Sequence, residues 1–112
     1  MKIDLTVLPF IYWSNKTKID YLQRRIIVYS ILYYQYDKSI ISDKDYDYLT
    51  KQYLELVENT SIEEFKKTQY YYCFRDYDGS TGFDLFDLLS ESDRDYLLKI
   101  TEHIIKVGGK LK

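Results

Sequence analysis

Apolar residues recur at helical spacing along most of this chain. Ile19, Leu22, Ile26, Tyr29 and Tyr33 follow an i, i+3/i+4 rhythm that predicts a helix from about Lys18 to Tyr36, with Arg24 and Arg25 off that face. Its second half, IIVYSILYY, is apolar almost all round, as in a helix at the centre of a domain. The β-branched content there also suits a buried strand, but the length favours helix. Ser14–Thr17 supplies a polar connector with helix-starting chemistry. Asp37–Ile41 reads as a turn. A second helix follows to about Glu58, with Tyr46, Leu49, Tyr53, Leu56 and Val57 in register, Ser42 as N-cap, and Asp43 and Asp45 in the first turn. Asn59–Thr60 breaks the pattern, and Ser61–Glu64 is a capping box that opens a short third helix. Leu97, Ile100, Ile104 and Val107 share one side of a final helix, capped by Ser90 or Ser92 and ended by Gly108-Gly109.

Two stretches depart from this rhythm. Residues 2–8, KIDLTVL, alternate weakly and predict a short strand that Pro9 ends or confines to an edge. The apolar cluster Phe10–Trp13 is expected to pack on the first helix. Tyr70–Arg75, YYYCFR, reads as an aromatic strand, followed by a turn at Asp78-Gly79 that Gly82 loosens. Phe83–Leu89 is open between a returning strand and a helical turn. The predicted fold is therefore α+β and mainly helical, one domain over 1–112. It holds a central helical hairpin at 18–58, and at 59–112 a short helix, a small β element and a C-terminal helix.

Composition narrows the function. With 46% apolar and 30% charged residues, the chain is not of a disordered type. Fourteen tyrosines provide both core rings and contact faces, since the ring can be buried while the hydroxyl stays wet. Net charge is −2, yet residues 37–102 hold sixteen acidic and eight basic side chains, a local balance of −8. That bias opposes direct binding of duplex DNA and favours basic partners. Cys73 is the one cysteine, so no internal disulfide forms and a reducing compartment fits. The longest uncharged runs, Leu5–Asn15 and Ile26–Tyr36, are too short to span a bilayer. Lys2 and Asp4 without a long apolar stretch argue against a signal peptide, and the expected location is cytoplasmic.

The densest chemistry lies in Tyr33–Leu49, where Tyr33, Tyr34, Tyr36, Tyr46 and Tyr48 alternate with Asp37, Asp43, Asp45 and Asp47. The segments YYQYD at 33–37 and SDKDYDYL at 42–49 resemble the Ia segment at the N-terminus of NAD-dependent DNA ligases, with a looser match from Leu22 to about Glu58. In that family the segment is a helical hairpin gripping the nicotinamide mononucleotide half of NAD. The chain is similar also to short, stand-alone ligase-related proteins of bacteriophages, through its YDGSTGFDL segment at 77–85. The resemblance implies that Tyr33 and Tyr46 flank a nicotinamide ring, while Asp43 and Asp47 accept hydrogen bonds from its amide and ribose. A cationic pyridinium is favoured over a tyrosine face and beside carboxylates. One position departs: Tyr34 stands where the family has a histidine. The alternative is that Ser42–Asp47 only starts a helix and the tyrosines are core.

Ligation itself is excluded by chemistry. Ligases attack their cofactor with the lysine of a Lys-x-Asp-Gly motif, and the comparable stretch here, Asp76-Tyr77-Asp78-Gly79, has aspartate in that place. Read as a calcium loop, the same stretch puts Phe74 and Leu85 where the essential first and last carboxylates belong, so a turn is the better reading. His103 and Cys73 are expected on a helix surface or end and in the core respectively, and no metal site is expected. Arg24-Arg25 reads as a solvated or salt-bridged face.

Two functions from different classes remain, and neither is an enzyme. In the first, a phage or mobile-element protein binds a host protein with a basic groove, such as a nucleic-acid-binding nuclease, in the manner of anti-CRISPR inhibitors, and needs no cofactor. Asp76, Asp78, Asp84, Asp87, Glu91, Asp93 and Asp95 would be the contact face, with aspartates placed like phosphates and tyrosines as anchors. In the second, the chain is a module for NAD or nicotinamide mononucleotide. A homodimer formed through the tyrosine face is a third possibility.

Overall fold

Residues 10–38, 41–79 and 82–111 are described by the computed structural model, and the strand expected at 2–8 lies outside them. The apolar run that opens the sequence pattern becomes helix α1, Asn15–Gln35, with every residue from Ile26 to Leu32 buried. Ser14 caps it, its hydroxyl accepting the Thr17 N–H at 3.2 Å. A single 3-10 turn, Phe10–Tyr12, precedes that cap.

At the far end of α1 the chain turns back through Asp37, whose φ of 52° lies in the left-handed region that aspartate tolerates. The Lys38 N–H then donates to the Leu32 carbonyl at 2.8 Å, satisfying a group the last turn leaves open. Helix α2, Asp43–Glu58, runs from the predicted Ser42 cap, where Oγ accepts the Asp45 N–H at 3.1 Å. Its buried residues Leu49, Thr50 and Tyr53 face α1, so the hairpin expected at 18–58 is present. Helix α3, Ile62–Lys66, starts at the Ser61 cap, and α4 and α5 are single turns at Tyr71–Phe74 and Leu85–Leu88. Helix α6, Glu91–Leu111, begins under Ser90, whose hydroxyl accepts the Asp93 N–H at 3.3 Å, and packs against α1.

The fold is all-α, which corrects the expected α+β class: no strand occurs among the described residues. At 70–77 the pattern of burial shows why. Tyr70, Cys73 and Phe74 are buried and Tyr77 is half-buried, an i, i+3, i+4, i+7 spacing, while Tyr72 and Arg75 are exposed. A strand would have buried alternate residues. Aromatic β-propensity reflects fit to a sheet surface, and no neighbouring strand is offered here. The open choice at 83–89 resolves as the helical turn α5. Gly108-Gly109 does not end α6, which continues to Leu111; glycine lowers helix propensity by about 1 kcal/mol without forbidding the conformation.

The largest polar side chain inside this core is that of Gln23. Gln23, fully buried between Leu22 and Ile26, donates from Nε2 to the Tyr53 hydroxyl (3.3 Å) and to Thr68 Oγ1 (3.0 Å). Its Oε1 accepts the Tyr70 backbone N–H at 3.0 Å. Thr68 Oγ1 donates onward to the Phe65 carbonyl at 2.6 Å. The carboxamide thus joins α1 to α2 and to the connection between α3 and α4. Replacing Gln23 by Leu strands the buried Tyr70 N–H and the Tyr53 hydroxyl, while Thr68 keeps its bond to the Phe65 carbonyl, and is expected to lower stability by roughly 2–4 kcal/mol in urea unfolding with little change in slope.

Burial also holds protons on the interior phenols. It pushes Tyr70 up to about 12 and raises Tyr53 and Tyr77 further, the Tyr53 rise being offset in part by its bond from Gln23. A phenol whose folded pKa is raised contributes stability that is complete below the unfolded value near 10 and is lost above it. These three phenols therefore leave stability unchanged to about pH 10, and each then lowers it by about 1.4 kcal/mol per pH unit up to about pH 12. Urea melts across that interval, with phenolate absorbance recorded alongside, check both the onset and the slope.

Candidate functional site

The two sequence segments that carry the resemblance meet in space. The loop after α4 runs back over the hairpin, and its glycines mark where backbone lies on helix. Gly79, with φ of 84°, sits so close to α2 that a Cβ would fall 2.7 Å from Leu54 Cδ1. At the buried Gly82 a Cβ would fall 2.0 Å from Ser30 Oγ and 2.7 Å from the Tyr46 hydroxyl. Segment 82–83 therefore bridges α1 and α2 at the corner of the hairpin. Phe83 adds an edge-on contact with Tyr34, ring centroids 5.2 Å apart, and Tyr34 meets Tyr33 edge-on at 4.8 Å.

This arrangement divides the residues that the ligase resemblance picks out. Tyr33 is 52% exposed at the end of α1, and Asp43 and Asp47 are exposed on α2. Tyr46 is half-buried against the core, and its hydroxyl is hydrogen-bonded to Ser30 Oγ at 3.2 Å beneath Gly82. Ser30 Oγ in turn donates to the Ile26 carbonyl at 2.8 Å. So the ring expected to open onto a ligand with Tyr33 is instead engaged within the hairpin. Tyr34 and Tyr48 are exposed, and Tyr36 is half-buried, its hydroxyl donating to Glu102 on α6 at 3.4 Å.

Three of the seven acidic residues are brought together. Asp76, Asp78 and Asp84 line one open groove with Tyr72, Leu85 and Leu88. Leu88 is 52% exposed there, an apolar side chain held out among carboxylates. Asp93 accepts a short hydrogen bond from the Tyr72 hydroxyl, which itself accepts the Ser90 N–H at 3.1 Å, so the groove wall is tied to the start of α6. Asp87, Glu91 and Asp95 are exposed on α5 and the opening turns of α6. The nearby cations are engaged locally: Arg75 Nε lies 3.4 Å from the Asp76 carboxylate, and the Arg94 guanidinium stacks on Phe86 and donates to the Asp87 and Leu89 carbonyls.

The remaining candidates stay apart. Cys73 is buried in α4, where desolvation pushes its thiol up to about 11 and keeps it protonated at neutral pH, while His103 is exposed on α6. Among the described residues no group of His, Cys, Asp or Glu side chains is arranged to hold a metal ion, and no helix is long and apolar enough to cross a membrane. Sequence reasoning passed over three features: the Gln23 junction, the Gly82 seat and the exposed Leu88. Gln23 was marked by being polar on the apolar face of α1. Nothing local marked Gly82 as a contact rather than a turn residue.

No protein family, curated protein or solved structure matches the chain. The likeness to the ligase segment thus rests on the residues at 33–49 and the looser match over 22–58, and that to the phage proteins on 77–85 as well.

Substituting Gly82 tests the seat. Gly82→Ala should destabilise by roughly 1–3 kcal/mol through overpacking. Adding Ser30→Ala removes the nearest clashing atom and should recover part of that loss in a double-mutant cycle of urea unfolding.

Proposed function

We propose that this chain is a non-enzymatic binding protein whose acidic groove, between the α4 turn and the start of α6, docks on a basic protein surface. The observation that supports this best is the meeting of Asp76, Asp78 and Asp84 around the exposed Leu88. Carboxylates at the rim steer a cationic partner, and an apolar side chain among them supplies an anchor that can be desolvated on contact. A surface that receives nucleic-acid phosphates offers the complementary charge, so a nucleic-acid-binding host protein, such as a defence nuclease, is the partner class that fits. Inhibition then follows by occupying its groove. A soluble cofactor has no part in this mechanism.

The nicotinamide reading has less behind it, because the Tyr46 hydroxyl is engaged by Ser30 and Gly82 lies against both. Titration with nicotinamide mononucleotide separates the two: chemical-shift changes confined to Tyr33, Asp43 and Asp47 would favour that module instead.

The direct test captures a partner from host lysate, identifies it, and then measures its affinity for purified variants. Leu88→Asp and the double charge reversal Asp76→Lys with Asp84→Lys should each weaken binding by tenfold or more, about 1.4 kcal/mol, with fold stability unchanged. The wild-type affinity should drop as salt is raised. A partner held equally well by both variants, or at every ionic strength, would displace the groove from this role.

A further inference from the structure

Arg24 and Arg25 belong to none of the above. They lie half-buried on α1, in a groove of about 400 Å³ whose walls are Val28, Ile41, Ile100 and Ile104. The groove is formed where α6 crosses α1, and among the described residues no carboxylate lines it. Neither arginine forms an ion pair among the described residues, and the Nε–H of each is buried without an acceptor. The sequence predicted a solvated or salt-bridged face; among the described residues the pair is half-buried and has no ion-pair partner.

Arg25 is held in place by aromatic rings. Its guanidinium carbon lies 5.0 Å from the Tyr29 ring centroid and 5.7 Å from that of Tyr21, and it donates to the Tyr29 hydroxyl. Ring faces orient a guanidinium without neutralising it. Two cations beside isoleucines, with no counter-ion among the described residues, are costly unless an acceptor is supplied from outside. The forked donors of arginine suit a planar carboxylate or a phosphate.

We infer that the groove between α1 and α6 is a ligand site for a small amphiphile, an anionic carboxylate or phosphate head carried on a short apolar chain. The head meets Arg24 and Arg25, and the chain lies along Val28, Ile41, Ile100 and Ile104. The volume fits a small molecule. A nucleic acid is the wrong occupant, because the cations are recessed among apolar walls in a chain of net charge −2.

The experiment titrates the full chain with octanoate, octyl phosphate and octanol, by calorimetry and by chemical shifts at Ile41, Ile100 and Ile104. At least one anionic ligand should bind with shifts at those residues, at least roughly tenfold more tightly than octanol, and the stronger of the two identifies the head group. Arg25→Gln should bring that ligand down to the octanol level. If Arg25→Gln fails to fold, Arg25→Lys should still weaken the anion and leave octanol unchanged. Equal binding of anion and alcohol, binding of neither up to the solubility limit, shifts elsewhere on the molecule, or an Arg25 variant with undiminished anion affinity would each overturn the site.

Discussion

The carboxamide of Gln23 sits where α1, α2 and the connection between α3 and α4 converge, and its bonds fix how those pieces lie against one another. A buried amide has few geometries in which both its nitrogen and its oxygen are satisfied. Apolar packing around it tolerates small slips of one helix along another, because dispersion and area burial are not directional. The Gln23 bonds are directional, and they are made in a place where losing any one is expensive. They therefore select one register of the hairpin out of several that would bury similar area. The single turn of α4 is too short to be stable alone and hangs on the Tyr70 N–H that this side chain accepts.

Once that register is set, the placement of the surface chemistry follows. The loop after α4 has to travel over α2 to reach α5, and it can do so closely because residues 79 and 82 have no side chain. That crossing brings Asp76, Asp78 and Asp84 to one groove and sets Phe83 against Tyr34. It also engages Tyr46 from above and leaves Tyr33 open, dividing a pair that the ligase likeness treats as equivalent. On the opposite side of α1, the packing of α6 creates the recess that holds Arg24 and Arg25. The acidic and the basic features are thus products of the two elements that α1 receives on its different faces.

Much of this was legible before any coordinates. The helical rhythm of 18–36 and 43–58, the Ser42 and Ser61 caps and the buried Cys73 all stand as the pattern indicates. Those features depend on short-range spacing and on hydrogen bonds between neighbours, which a sequence displays directly. At Tyr70–Arg75 a strong local preference for strand was met by a tertiary setting with no strand to pair with, and the helical period of its burial decided the outcome. The location of the acidic groove and the state of Tyr46 depend on contacts between positions 30, 46 and 82, which no local pattern encodes. The half-burial of Arg24-Arg25 was not legible for the same reason: its surroundings are supplied by α6, far along the chain.

The tight fit at Gly82 also limits how this chain can drift over generations. Ser30, Tyr46 and residue 82 share one small volume, so a side chain gained at 82 must be matched by one given up at 30 or 46. Relatives diverging in sequence would then change these three positions in concert, although they lie on three separate segments. A lineage that kept glycine at 82 would be free to vary the exposed tyrosines of the hairpin corner without disturbing its frame.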